Sequence, residues 1–190
     1  MSIDFFISKL KEIKPSKEAY FKNNNKIMPK SFEFGYLLKR RKPVAKKIIE
    51  ENDIIGELIS KYQTRYLGFG YYTFNDDITE LEGYYASCEN FEELKEAKIF
   101  GRNSGTFLLY DSPYSEVMEY STDELVPLYH CAKDSAAFLE AILHLQEMYA
   151  LRLEGSIERD DDEINHQFLN KCINSAGGQK FASFYEMIIF

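Results

Sequence analysis

The sequence predicts an α+β fold: a central, mostly antiparallel sheet flanked by helices, with helical N- and C-terminal parts. Apolar residues recur at helical spacing up to about residue 62. From Arg65 to about Tyr120 the period falls to two, with turn residues between the runs. After Asp134 helical spacing returns and holds to the end. A chain of 190 residues with 45% apolar side chains has the length and core content of one domain. That domain divides into a helical part at 1–62, a sheet core at 65–120 and C-terminal helices at 134–190.

In chain order, Ile3, Phe6, Ile7, Leu10 and Ile13 share one face of a short amphipathic helix. Pro15 stops it, because the residue before a proline avoids the α region. Residues 22–30 are polar and read as a loop, and Ser31–Leu38 fits either helix or strand. Lys39-Arg40-Arg41-Lys42 is the sharpest charge run, ahead of Pro43, a good first-turn residue. Cations at a helix N-terminus oppose its dipole, so the run does not serve the helix. It reads as a solvated helix entry or as a contact for an anionic partner. Val44, Ile48, Ile55, Leu58, Ile59 and Tyr62 continue as a helical stripe.

Leu67, Phe69, Tyr71 and Thr73 then alternate with Gly68, Gly70, Tyr72 and Phe74. Asn75-Asp76-Asp77 is the expected turn, and Ile78–Tyr85 the returning strand, with Glu80 and Glu82 on one face. Asn90 with Glu93 three positions on reads as a helix start for about two turns, and Gly101 either ends that helix or begins the next turn. Thr106–Tyr110 is apolar nearly throughout, as in a strand buried on both faces. Its mate alternates Glu116, Met118 and Tyr120 against Val117 and Glu119, which predicts one wet face. Asp134-Ser135 caps a helix carrying Phe138, Ile142, Leu145 and Tyr149, and Gly155 closes it. The acidic segment Glu158–Glu163 precedes another helix and complements its positive end. Phe168, Leu169, Cys172, Ile173 and Ala176 follow, then Gly177-Gly178 as a stop, then a last helix over Gln179–Ile188.

Charge separates along the chain. Residues 1–65 hold 15 Lys and Arg against 8 Asp and Glu, and the rest hold 8 against 23, for a net −8. The larger, acidic part repels phosphate, which argues against nucleic acid and for a basic partner. Fourteen Tyr and 15 Phe, with no Trp, suit half-buried sheet faces and protein interfaces. Cys88, Cys131 and Cys172 are odd in number and widely spaced, with no metal-ligand pattern, so no disulfide framework or metal is expected. Asp4 and Lys9 bracket the first apolar run, unlike a secretory signal, and no run is long enough to span a membrane. A cytoplasmic protein is expected. His130 and Cys131 are adjacent, so in an extended segment they point to opposite faces. Neither GxSxG nor HExxH occurs. An enzyme and a bound cofactor are not expected.

Phe100-Gly101-Arg102-Asn103-Ser104-Gly105-Thr106-Phe107-Leu108-Leu109-Tyr110, then Glu116-Val117-Met118-Glu119-Tyr120, then Ser135 and Phe138-Leu139 in a helix start, resemble the later half of the SUKH superfamily. The tail Cys172–Phe181 resembles that of some bacterial members. The resemblance covers about 65–190. It implies a non-enzymatic α+β scaffold with no catalytic residues to carry over. Bacterial members are immunity proteins that neutralise a toxin, and yeast relatives regulate cell-wall synthesis. On this basis the expected partner is a basic toxin domain. The expected contact residues are Asp76, Asp77, Glu80, Glu82, Glu116 and Glu119. The alternative is a regulatory scaffold of the same superfamily without a toxin partner.

Overall fold

The computed structural model describes residues 1–13, 40–41, 53–64, 67–112 and 114–190. Pro15, the loop at 22–30, Ser31–Leu38, Lys39, Lys42, Pro43, Val44, Ile48 and Arg65 lie outside the described residues. The architecture is α+β. Six strands form one antiparallel sheet in the order β1-β2-β3-β4-β5-β6. They are β1 Gly68–Phe69, β2 Tyr72–Thr79, β3 Lys98–Arg102, β4 Thr106–Tyr110, β5 Val117–Ser121 and β6 Pro127–Ala132.

The helices pack mainly on one face. α1 (Ile3–Glu12) starts at Ser2, whose hydroxyl accepts from the Phe5 N–H, and buries Ile3, Phe6, Ile7 and Leu10 as its spacing predicts. α2 spans Ile54–Lys61. Its N-cap Asp53 accepts from the Gly56 N–H, so the stripe read back to Val44 is interrupted here by a helix start. Asp53 also accepts from the Tyr110 hydroxyl at 2.8 Å and from Lys98 Nζ at 3.2 Å. These bonds tie the head of α2 to the paired ends of β3 and β4, and they satisfy a carboxylate that is only 4% exposed.

The first hairpin differs from expectation. Gly70, at φ +59°, takes the turn between β1 and β2, a conformation that favours glycine. Asn75-Asp76-Asp77 is therefore no turn and lies inside β2. Between the pairs Phe74↔Gly101 and Thr79↔Ile99, β2 advances five residues while β3 advances two. The extra residues form a bulge. Its carbonyls are held from outside the sheet: Thr64 Oγ1 donates to the Asn75 carbonyl at 2.5 Å, and the Arg41 guanidinium donates to the Asp76 carbonyl. The expected strand at Ile78–Tyr85 ends at Thr79, and Gly83–Ser87 is a 3-10 helix.

α3 is a single turn, Phe91–Leu94. Asn90 makes no cap bond and instead donates from Nδ2 to the Leu125 carbonyl at 2.8 Å. Gly101 lies within β3 and ends no helix. The β4–β5 hairpin forms as read, in the register Thr106↔Ser121 to Leu109↔Met118. β6 extends the sheet past residue 120.

Asp134 caps α4 (Ser135–Glu154) by accepting from the Ala137 N–H, and Gly155 ends it at φ 70°. Asp161 caps α5 (Asp162–Ala176) through the Ile164 N–H, with Asp162 and Glu163 in the first turn, so the acidic segment is a helix entry. Gly177 ends α5, and a 3-10 turn at Gln179–Phe181 leads into α6 (Ala182–Ile189).

Two apolar clusters hold the sheet. The larger joins α1, α2, α4, α5 and α6 to Tyr72, Phe74, Phe100, Leu108 and Tyr110. The smaller lies on the other face, where Leu81, Tyr85, Leu94 and Leu125 cover Ile99, Leu109 and Tyr120. Among the described residues, no helix is long and apolar enough to cross a membrane.

Candidate partner-binding surfaces

The six expected contact residues do not form one patch. Asp76 and Asp77 sit in the β2 bulge, and Glu80 and Glu82 follow the end of that strand. Asp77, Glu80 and Glu82 are exposed. Asp76 is half-buried, and its carboxylate meets the Arg41 guanidinium at 3.0 Å. Arg41 also donates from Nε to the Tyr62 carbonyl at 2.6 Å. This half of the basic run is a strut between the end of α2 and the β2 bulge, and Arg40 beside it is exposed.

Glu116 lies just before β5, three strands along the sheet from β2. One carboxylate oxygen lies 2.7 Å from His130 Nδ1 and the other accepts from Lys180 Nζ. Burial works to raise its pKa, but the Lys180 and His130 hydrogen bonds together outweigh it and hold the carboxyl below its ordinary value. Glu116 thus links β5, β6 and the lead-in to α6.

Glu119 corrects the sequence expectation. It is 1% exposed and faces the helices, where Tyr72 donates its hydroxyl to Oε1 at 2.7 Å. Its Oε2 has no hydrogen-bond partner. Tyr72 is on β2 and Glu119 on β5, so this contact requires the sheet to curl around its helical face. The predicted wet face of β5 is covered too, because Tyr120 and Met118 pack into the smaller cluster. Burial first, and then the hydrogen bond to Glu119, push the Tyr72 hydroxyl pKa well up.

A concave surface lies outside the expected set. A groove of ≈ 540 Å³ runs between α1 and α4. Its apolar lining includes Phe5 and Ile13 from α1 and its end, and Leu143, Ala150 and Leu151 from α4. Four carboxylates border it, Glu12, Glu140, Glu147 and Glu154, against one ammonium, Lys9. Lys9 pairs with Glu12 at 2.7 Å, and Lys171 of α5 reaches Glu147 at 3.5 Å. His144 lines the same groove, with Nε2 3.1 Å from Ser175 Oγ. Burial lowers its pKa and so favours the neutral ring, against the pull of the Glu147 carboxylate. The sequence signal for this groove is the spacing of Glu140, Glu147 and Glu154, seven apart and hence on one helix face.

Two of the three thiols are shielded from solvent, and Cys88 is partly exposed. Cys131 and Cys172 are buried, which raises both pKa values, that of Cys172 to about 12. Among the described residues, no three metal-ligating side chains converge. No family model, curated protein or solved structure matches this chain.

Proposed function

We propose that this chain is an immunity protein of the SUKH type, which binds a cognate basic toxin domain and neutralises it by protein–protein contact. The observation that supports this reading best is where the carboxylate excess of residues 66–190 falls. Asp77, Glu80 and Glu82 are exposed at the end of β2, and Glu140 and Glu147 stand along α4. Such a field steers a cationic protein into encounter and speeds association most at low salt. Glu119 is withdrawn from the contact set by its burial. Glu116 stays in the contact set, paired at the surface with Lys180 and His130.

The test is capture on the tagged chain from its source lysate, at low and at moderate salt, followed by purification of what is held. A single basic protein, released as salt rises, is the expected result. With that protein in hand, Glu80→Lys/Glu82→Lys slows association and reduces its salt dependence. No basic protein at low salt would contradict the reading and favour the regulatory scaffold.

A further inference from the structure

We infer that the groove between α1 and α4 is the docking site for a basic amphipathic helix of the partner protein; this rests on the reading of a basic protein partner. Shape, chemistry and charge support it separately. The valley lies between two helices. From Glu140 to Glu154 its α4 wall rises by about 21 Å, and from Phe5 to Ile13 its α1 wall by about 12 Å. A third helix of about three turns fits that length and packs against both neighbours by ridge-into-groove contact.

The lining changes character across the valley. Its floor offers Leu143, Leu151 and Ile13, with Phe5 51% exposed at the edge. Carboxylates border this apolar strip. An occupant that satisfies both has apolar side chains at positions i, i+3 or i+4 and i+7, flanked by Lys or Arg. An acidic or neutral helix would leave exposed Glu140 and the excess of four lining carboxylates over Lys9 uncompensated, although Lys171 already meets Glu147. A β-strand would leave one edge of its backbone without hydrogen-bond partners, since helix walls have no backbone donors or acceptors to spare. The occupant is therefore a cationic helix.

The probe is a synthetic 14-residue peptide of Leu and Lys, with the leucines at helical spacing. The control has the same composition in an order that destroys the apolar face. Affinity is read by titration calorimetry, and helix formation in the bound peptide by far-UV circular dichroism. The amphipathic peptide binds and becomes helical, and the control does not. Glu140→Lys/Glu147→Lys weakens binding about tenfold or more. Phe5→Ser weakens it too, without touching the core. Circular dichroism of each free variant confirms that it is folded.

Equal affinity for wild type and both groove variants would overturn the proposal. So would a dimer of this chain that the groove substitutions dissociate, because the occupant would then be a second copy. A captured basic partner that binds wild type and Glu140→Lys/Glu147→Lys equally would overturn the groove and leave the immunity reading standing. Peptide held in the groove with no basic partner captured would do the reverse.

Discussion

Tyr72 and Glu119 show how a single residue pair sets terms for the whole sheet. Glu119 is 1% exposed, with one carboxylate oxygen bonded to Tyr72 and the other unpartnered, so the Tyr72 bond is its main compensation for burial. Tyr72→Phe removes its bond and should lower stability by about 1–3 kcal/mol in chemical denaturation. Glu119→Gln should recover much of that loss in the double variant, since a neutral amide tolerates an unmet bond better than an anion does. No recovery would mean that the cost lies in the ring packing of position 72. The thiols give a second residue-scale prediction. Cys88 should react first with a thiol reagent under native conditions, and buried Cys131 and Cys172 only on unfolding. Mass spectrometry of the labelled protein checks the order. Glu116 predicts an acid dependence. Its folded pKa lies below the ordinary 4.5, so its contribution is present above about that pH and is lost as pH falls through the folded value. Lys180→Ala, which frees one carboxylate oxygen, should flatten the acid limb of a stability-against-pH curve.

At the scale of elements, the strut through Arg41 decides how firmly the β2 bulge is held. Arg41→Ala removes the donors to Asp76 and to the Tyr62 carbonyl. Amide exchange at residues 75–79 should quicken while α4 stays protected, and uniform quickening would mean that Arg41 stabilises the fold globally. Helix caps act more locally. Asp134→Ala should cost about 1 kcal/mol through the unmet Ala137 N–H, measured by thermal unfolding. The caps at Asp134, Gly155 and Gly177 were legible in the sequence, because each is a short-range pattern; the acidic segment 158–163 marked a helix entry without singling out Asp161, and the cap read at Asn90 does not form. β3 and β6 were not. Gly101 inside β3 resembles a stop, and β6 is a sheet edge with Pro127 and Leu128 exposed, so it lacks the alternation of a half-buried strand. The turn was misplaced by five residues because Gly70 and Asn75-Asp76-Asp77 both carry turn chemistry, and only the backbone decides between them. Alternation in β5 correctly separated Val117 and Glu119 from Met118 and Tyr120. It could not say which face would be covered, and long-range packing covers both. That is why Glu119 entered the expected contact set and why the groove on α4 escaped it.

At the largest scale the described residues form a curled sheet between two unequal apolar clusters. The aromatic content that suggested interfaces is largely spent inside: Phe69, Phe74, Phe100, Phe138 and Phe184 contact one another in the helical core. The carboxylates remain outside, at the end of β2 and along the α1–α4 groove. The central claim is neutralisation of a toxin, and growth of a host measures it most directly. The basic protein captured on this chain is expressed in a sensitive strain, alone and with this chain. Restored growth with the wild-type chain, diminished by reversing the exposed carboxylates, is the predicted result. Equal growth arrest with and without this chain, with both proteins soluble and folded, would contradict the account.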